Sequence, residues 1–399
     1  MGLALMTACG TTIAGGDVVR LATIGGADSI AWDINDLGQI VGDAGNHGVL
    51  WASGVPTDLG AWGGAGDLSH AEAINNLGQI VGYSENSSGL REATLWAADL
   101  TMRNLGVEMG AAGSSIPWDI NELGEVCGQT ALSPGFSKGF VWDDANGGQQ
   151  FGTVPGYMGG ANKGMNNSSV LVGHGFFFGD PDMAMLAAPD GRGAWDAVEI
   201  GPSGFTFSIA SEISDAGMVV GFTNAGGGPW NACIFTSESH DGYITLGTLP
   251  EVENSESYDV NEAGVIVGYA WDDDFLVQSR AWVYVDGVMH DLNDELVGRG
   301  TAEFTQLLAA TGINENNDIV GYGLTTDGAI AGFLIEAYGA ESCAADLAEP
   351  FGQLDFSDVS AFLVAFGTMS PEADLAEPFG AFDFSDVVAF LGVFGAGCP

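Results

Sequence analysis

Asparagine and aspartate recur together at one place in a repeated phrase, and their side-chain oxygens could bind a hard cation such as calcium. The phrase DINDLGQIVG occupies residues 33–42, and AINNLGQIVG occupies residues 73–82. The same oxygens could instead stabilise a tight turn, because Asn at its first position folds back onto the backbone and Gly at the fourth adopts a left-handed conformation. We favour the turn, since it explains every position and the fourth and fifth copies lack an acidic pattern.

The phrase occurs seven times, with spacings of 40, 46, 45, 48, 47 and 53 residues. Its copies are centred on Asn35, Asn75, Asn121, Asn166, Ser214, Asn261 and Asn314. A short apolar run follows each turn, as is typical of buried strands. Two more strands recur in most repeats, one of the kind HGVLW (47–51) and one of the kind TDLGAWGG (57–64). The matching Trp51, Trp96 and Trp142 are predicted to pack in the core.

A near-constant period of this length indicates a repeat protein, and about 45 residues accommodate the four strands of one propeller blade. The 63 glycines and the missing helical periodicity exclude two-helix repeats, while a β-solenoid stays possible. The seventh repeat stops at GFLIEA (332–337) without its last strand, and VVRLATIGG (18–26) precedes the first repeat. We therefore predict an all-β, seven-bladed β-propeller over residues 18–337, closed by an N-terminal strand that completes the last blade.

The phrase I-N-x-x-G-x-x-V-G, the small-apolar-aromatic strand and the Leu-Gly strand together resemble the HAF repeat of secreted bacterial proteins. The resemblance covers about 320 residues. The name-giving His-Ala-Phe is mostly absent, since His47 is followed by Gly48 and Val49. This resemblance implies an extracellular propeller-like module without an assigned reaction.

The composition changes near residue 338, which predicts a linker at 338–342 and a separate domain at 343–399. Two copies of an acidic loop followed by D-V-x-A-F-L-x-x-F lie 28 residues apart, and apolar residues at helical spacing predict one amphipathic helix in each copy. The duplicated loop and helix, the phrase DFSDVSAFL and the closing Gly-Cys resemble the GC-type dockerin of secreted planctomycete proteins. The resemblance implies docking to a cohesin-like or other surface protein.

Dockerin loops bind calcium through carboxylate oxygens, so the resemblance also implies a ligand set. Its members would be Asp346, Glu349, Asp355, Asp358, Asp374, Glu377, Asp383 and Asp386. The loops depart from the family pattern, because Ala348 stands at the third position and the loop is one residue longer. Fewer oxygens weaken calcium binding. A calcium-free helical hairpin held by a disulfide therefore stays open as the alternative.

Five cysteines fit an exported protein. Cys343 and Cys398 bracket the C-terminal domain and are predicted to pair, whereas Cys127 and Cys233 lie in apolar strands and are predicted to be buried free thiols. Cys9, in LMTACG, is either a lipoprotein acceptor or part of a signal peptide, and residues 1–17 are interpreted as a truncated targeting remnant.

A net charge of -45 disfavours binding to nucleic acids and to anionic lipid. No stretch is long and apolar enough to span a membrane. We expect an extracellular or cell-surface protein. The excess negative charge favours a saline exterior, because salt screens the repulsion among the acidic residues.

No common nucleophile, metalloprotease or phosphate-loop motif is present, and His174 near Asp180 and Asp182 is a weak candidate for the channel. The first hypothesis is a non-catalytic binding or scaffold protein, with a propeller that recognises a protein or a glycan. The alternative is a polysaccharide-degrading or modifying enzyme attached through its tail. Carboxylates facing the channel about 5–10 Å apart would favour the enzyme.

Overall fold

A computed structural model describes residues 17–25, 28–63, 68–133, 136–150, 159–176, 182–191, 195–202, 207–236, 242–272, 279–296, 303–338, 356–369, 373 and 384–396. Contacts between Cα atoms divide the chain into two compact units, Gly16–Ala337 and one that contains Tyr338–Pro399.

The first unit consists of seven four-stranded antiparallel sheets, counted over the described residues. Blade 1 contains β2 (Ser29–Ile34), β3 (Ile40–Ala44), β4 (His47–Ala52) and β5 (Val55–Asp58), and blade 2 contains β6 (Ser69–Ile74), β7 (Ile80–Glu85), β8 (Arg91–Trp96) and β9 (Met102–Asn104). Blade 3 contains β10 (Ser115–Ile120), β11 (Val126–Ser133), β12 (Phe136–Asp143) and β13 (Gly147–Gln150), and blade 4 contains β14 (Gly159–Met165), β15 (Leu171–Phe176), β16 (Met183–Pro189) and β17 (Trp195–Glu199).

The remaining blades follow the same order. Blade 5 contains β18 (Ser208–Ile213), β19 (Val219–Thr223), β20 (Asn231–Phe235) and β21 (Tyr243–Gly247), and blade 6 contains β22 (Asn254–Val260), β23 (Ile266–Trp271), β24 (Arg280–Val285) and β25 (Val288–Asp291). Blade 7 contains β26 (Phe304–Ile313), β27 (Ile319–Thr325), β28 (Ile330–Ile335) and β1 (Val18–Arg20). Short helices at Leu105–Glu108 (α1), Ala225–Gly227 and Leu292–Leu296 lie in connections.

The predicted seven-bladed propeller and its closing strand are confirmed. β1 pairs antiparallel with β28, and Val18 lies opposite Ile335. The first and last blades also contact each other directly, since Thr311 Oγ1 donates to the carbonyl oxygen of Ala31 at 2.9 Å. The N-terminal strand thus completes blade 7, and the ring leaves no blade without a neighbour.

The core consists of apolar layers between adjacent blades. Trp51, Trp96 and Trp142 are at most 1% exposed, which confirms their predicted packing role. The indole nitrogen of Trp96 donates to the carbonyl oxygen of Leu59 at 2.9 Å, and that of Trp51 donates to Ala22. Trp51 and Trp96 therefore also anchor the connections that lead toward the following strands.

The innermost strand of every blade contains a β-bulge, and the bulge explains the glycine that closes the repeated phrase. In blade 2 the register shifts between Ala71 and Ala73, so Glu72 is an extra residue. A Cβ atom added to Gly82 would lie 1.9 Å from the carbonyl oxygen of His70. Only glycine fits where the bulged backbone approaches the second strand so closely.

The second unit contains α2 (Phe356–Thr368) and α3 (Phe384–Ala396), as the duplicated pattern predicts. The rings of Phe362 and Phe390 stack at 4.1 Å with an interplanar angle of 12°, and both side chains are 1% exposed. Among the described residues, no helix has the length and apolar character needed to cross a bilayer.

Candidate binding channel

The repeated asparagines stabilise their own turns and also join neighbouring blades. Asn35 Oδ1 accepts hydrogen bonds from the backbone nitrogens of Leu37 at 3.1 Å and Gln39 at 2.9 Å. Its Nδ2 atom donates to Gln39 Oε1 at 2.9 Å and to the carbonyl oxygen of Asn75 at 3.0 Å. Both ends of the amide are used by the fold, which favours the turn interpretation over calcium ligation.

The amide-to-carbonyl link runs around most of the ring. The donors Asn35, Asn75, Asn121, Asn166, Asn261 and Asn314 each bond the carbonyl oxygen of the equivalent residue one blade ahead. Ser214 occupies this position in blade 5 and has no side-chain amide to donate. The described contacts therefore contain no amide-to-carbonyl bond of this kind from blade 5 to blade 6. The last donor, Asn314, bonds Asn35 at 3.0 Å and closes the circle.

A second set of hydrogen bonds involves the next residue of each turn and is complete. The backbone nitrogens of Asp36, Asn76, Glu122, Asn167, Asp215, Glu262 and Glu315 each donate to the side-chain oxygen of the equivalent residue one blade ahead. These side chains are therefore held against backbone amides. The turns form one hydrogen-bonded mouth of the channel.

The bulges direct side chains into a central cavity of about 600 Å³. All seven blades contribute through their innermost strands, and the extra residues of the bulges are Trp32, Glu72, Trp118, Lys163, Ser211, Tyr258 and Thr311. Tyr83, Arg91 and Phe222 add to the wall from second and third strands. The size lies in the usual range of small-molecule sites.

Carboxyl groups line the channel at residues that directly follow the bulges. Asp33 Oδ1 accepts a hydrogen bond from the backbone nitrogen of Ile34 at 2.7 Å, and its Oδ2 accepts one from Ile74 of blade 2 at 2.8 Å. Asp119 and Asp259 make the same two kinds of bond, the second to Met165 and to Ile313 at 2.7 Å. Each of these aspartates joins two blades.

Burial raises the pKa values of these carboxyl groups because it disfavours the charged form. The pKa of Asp33 rises to about 6, and those of Asp119 and Asp259 rise to about 7. Burial raises the pKa of Glu212 well above its usual range, and the charges of Asp119 and Asp259 add to this. The channel therefore changes its charge near neutral pH.

His70 lies between two carboxylates in the wall of the cavity. Its Nδ1 atom is 2.6 Å from Asp43 Oδ2, and its Nε2 atom is 2.5 Å from Glu72 Oε2. Burial opposes the charged ring, but the hydrogen bonds to Asp43 and Glu72 outweigh it and raise the pKa of His70 to about 10. The imidazolium is stacked on Tyr83 at 4.9 Å and holds blades 1 and 2 together.

Lys163 places a donor at the cavity that the described part of the protein leaves unused. Lys163 Nζ lies 3.1 Å from the centre of the Trp118 ring, and no described residue accepts a hydrogen bond from it. The indole nitrogen of Trp118 is buried and also lacks a described acceptor. Burial lowers the pKa of Lys163. An unused ammonium donor beside an aromatic side chain suits a ligand that carries oxygen acceptors.

Blade 6 contributes a carboxyl group and a stack of aromatic rings. The Tyr269 hydroxyl donates to Glu256 Oε2 at 2.9 Å, and burial raises the pKa of Glu256 to about 7. Tyr269 stacks on Tyr258 at 5.5 Å and on Trp271 at 4.9 Å. The wall at this point combines aromatic faces with a hydrogen-bonding oxygen.

Most of the predicted calcium ligands lie outside the described residues. These are Asp346, Glu349, Asp355, Asp374, Glu377 and Asp383, and the side chain of Asp358 is also outside them. Asp386 is described, lies in the first turn of α3 and is fully buried. The described residues contain no cluster of three metal-binding side chains.

The cysteine predictions have different outcomes. Cys127 and Cys233 are buried free thiols, as predicted. Cys9, Cys343 and Cys398 lie outside the described residues, so the predicted pair stays a prediction.

His174 does not line the central cavity. It lies in blade 4 beside a separate cavity of about 40 Å³, and its Nε2 atom is 3.9 Å from Asp182 Oδ2. Burial lowers the pKa of His174 to about 4. The expected position near Asp182 is observed, whereas the central cavity, for which His174 was a weak candidate, is lined at the equivalent second-strand position by Tyr83 of blade 2 and Phe222 of blade 5. Asp180 lies outside the described residues.

Comparisons with solved structures support the propeller class. Virginiamycin B lyase from Staphylococcus aureus matches with a TM-score of 0.51 and 10% identity, over 80% of this chain and 98% of that one. A structure from a study of two prolyl endopeptidases matches with a TM-score of 0.50 and 9% identity, over 74% of this chain and 46% of that one. TolB from Acinetobacter baumannii also matches, with 10% identity over 65% of this chain and 64% of that one, but its TM-score of 0.39 carries no argument about the fold. This chain thus spans less than two thirds of the TolB and endopeptidase chains.

No family model and no curated protein matches the chain. At these identities the lyase and endopeptidase structures show the fold alone, and function has to be argued from the site.

Proposed function

We propose that this chain is a non-catalytic recognition protein, that its channel binds a glycan, and that its C-terminal unit docks to a partner outside the cell. The unused Lys163 donor beside the Trp118 ring, in a cavity with several aromatic side chains, carries the proposal for the channel. A sugar offers ring faces that stack on aromatic side chains and hydroxyl oxygens that accept from the Lys163 ammonium. Its hydroxyl groups can donate to Glu72 and Glu256, which line the same cavity.

Binding is supported over catalysis by the way the channel carboxyl groups are used. Asp33, Asp119 and Asp259 each accept bonds at both oxygens from backbone amides, so they stabilise the ring. Glu72 is engaged by His70. These contacts leave no pair of free carboxylates among them for the acid and base of a glycoside hydrolase.

A screen of glycans on an array, followed by calorimetry with the full chain, tests the channel. We expect Trp118→Ala and Lys163→Met each to lower the affinity for the tightest-binding glycan about tenfold or more. Trp195→Ala is the matched control, because Trp195 lines the separate cavity of blade 4. Equal affinity of Trp118→Ala and the unchanged protein would exclude the channel as the site.

The enzymatic alternative is favoured by one observation. The Glu256 carboxyl faces the cavity with a pKa raised to about 7 by burial, as a general acid requires. Release of reducing ends from polysaccharides, abolished by Glu256→Gln, would replace the binding proposal with this alternative.

The docking proposal for the second unit is supported by apolar side chains on its helices that face solvent. Leu363, Val364, Val388 and Leu391 are 59%, 67%, 54% and 55% exposed. Together with the dockerin resemblance, they support binding to a cohesin-like or other surface protein. Leu363→Asp with Leu391→Asp should abolish capture of a cohesin domain, and Ser360→Asp on the same helix serves as the control.

Calcium binding by the acidic loops belongs to the same proposal. The buried Asp386 supplies a carboxylate at the start of α3, where a dockerin loop places its last ligand. Titration of calcium into the chelator-treated chain should give a binding isotherm that Asp386→Asn weakens. An isotherm that is absent in the unchanged chain would favour the calcium-free hairpin.

A further inference from the structure

The second residue after the repeated asparagine divides the ring into two arcs. Blades 1, 2 and 3 carry Leu37, Leu77 and Leu123, which are 70%, 59% and 65% exposed. Blades 4 to 7 carry Ser168, Ala216, Ala263 and Asn316 at the equivalent position. We refer to Leu37, Leu77 and Leu123 as the leucine arc.

The turn itself does not require leucine. The backbone nitrogen of Leu123 donates to Asn121 Oδ1 at 3.0 Å, and that of Ser168 donates to Asn166 Oδ1 at the same distance. Asn316 makes this bond as well, to Asn314 at 3.0 Å. Since a polar side chain serves the turn equally, the fold does not account for three solvent-facing leucines.

The three leucines lie on consecutive turns that are hydrogen-bonded to each other. The nitrogen of Asp36 bonds Asn76 Oδ1 at 2.8 Å, and the nitrogen of Asn76 bonds Glu122 Oε1 at 2.9 Å. These residues directly precede the leucines, so the three exposed leucines lie on neighbouring turns of one hydrogen-bonded edge. Several exposed large apolar side chains on one edge favour an interaction site.

The surroundings of the leucine arc are acidic. Asp36 and Glu122 lie within it, and Asp215, Glu262 and Glu315 continue the same edge of the ring. None of the seven repeated phrases contains Lys or Arg, and the whole chain has 8 basic against 53 acidic residues. This edge therefore attracts a positively charged partner.

We propose that the leucine arc is a docking surface for a basic, amphipathic helical segment of a partner protein. The apolar stripe of such a helix covers the leucines, and its Lys or Arg residues face the flanking carboxylates. A second copy of this chain is a poorer occupant, because its own edge carries the same negative charge. The proposal is independent of glycan binding in the channel.

A labelled Leu/Lys amphipathic peptide of about 18 residues is the probe, and its binding to the full chain is measured by fluorescence anisotropy at about 0.15 M salt. We expect Leu37→Ser, Leu77→Ser and Leu123→Ser combined to weaken binding about tenfold or more. The matched control combines Val55→Ser, Ile244→Ser and Val288→Ser, whose side chains are 63%, 55% and 53% exposed in outer strands. This control should bind as the unchanged chain does.

Three results would overturn the proposal. Equal affinity of the arc variant and the unchanged chain would remove the leucines from the site. Equal affinity for a scrambled peptide of the same composition would show charge attraction without a docking surface. Dimers seen by sedimentation in the unchanged chain but not in the arc variant would assign the surface to a second copy.

Discussion

At the scale of single residues, one asparagine per blade performs two tasks. Asn75 Oδ1 accepts from Leu77 at 3.1 Å and Gln79 at 3.0 Å, which shapes its own turn. Its Nδ2 donates to the carbonyl oxygen of Asn121 at 3.0 Å, which joins blade 2 to blade 3. Its side chain is buried, so each lost bond leaves a polar group without solvent.

Replacing Asn75 by alanine should therefore destabilise the protein more than the same replacement of an asparagine that stabilises only its own turn. We expect Asn75→Ala to lower the free energy of unfolding by about 3 kcal/mol. The matched control is Asn86→Ala in the same blade, because Asn86 Oδ1 also accepts from the backbone of Ser88 and Leu90 but makes no bond to another blade in the described contacts. We expect the control to lower the free energy of unfolding by about 1 kcal/mol.

Urea unfolding of the two variants measures the difference. Similar losses in both variants would show that the turn alone, and not the link between blades, explains the asparagine.

At the scale of the strand pair, the bulge and the facing glycine depend on each other. The bulge directs Glu72 into the channel, and Gly82 leaves room for the displaced backbone. The same arrangement occurs in blade 1, where a Cβ at Gly42 would lie 2.0 Å from the carbonyl oxygen of Ile30. The glycine that ends each phrase thus belongs to the construction of the site.

Gly82→Ala should destabilise the protein by about 3 kcal/mol, the upper range for overpacking, because the added atom meets backbone that cannot move aside. Gly228→Ala is the control, since the nearest heavy atom to its added Cβ is 4.0 Å away. We expect a change within about 0.5 kcal/mol there. Thermal unfolding followed by circular dichroism compares the two, and an unchanged midpoint in Gly82→Ala would mean that the bulge relaxes.

The sequence predicted strands, turns and blade order because each has a local pattern that repeats. It predicted neither the bulges nor the inward carboxyl groups, since Asp33 and Asp119 read as ordinary polar residues ahead of a turn. A signal was present in the fixed glycine inside the second strand of each blade, such as Gly82, where no turn requires one.

At the scale of the whole ring, the number of blades is odd, so acidic and small residues cannot alternate strictly around the closed circle. After the bulge, the ring reads Asp33, Ala73, Asp119, Gly164, Glu212, Asp259 and Gly312. Carboxyl groups and small residues alternate until blades 5 and 6, where two acids are neighbours. A Cβ at Gly164 would lie 2.4 Å from Glu212 Oε1, so the longer side chain reaches toward blade 4.

Stability should fall as the pH rises from about 5 to about 8. The folded pKa values of Asp33, Asp119 and Asp259 are raised above 3.8, so the folded state binds more protons than the unfolded chain in this range. Their stabilisation is present at low pH and is lost as the pH passes their folded pKa values. Repulsion among surface charges acts in the same direction but is screened by about 1 M salt. Calorimetric midpoints that become independent of pH in high salt would contradict a role for the buried groups.

Closure of the ring gives the last prediction. β1 supplies the buried Val18, and the following Leu21 is 3% exposed and donates from its backbone to the carbonyl oxygen of Gly332 at 2.9 Å. Removing residues 1–24 should lower the melting temperature by about 5–10 °C, because buried apolar contacts are lost and β28 becomes an open edge. Moving residues 17–24 to a position after Ala337, through a short linker, should restore most of the loss, since β1 runs antiparallel to β28 and a hairpin can return it to the same place. Failure of the moved strand to restore stability, despite correct pairing seen by hydrogen exchange, would mean that the N-terminal segment stabilises the protein through contacts other than closure.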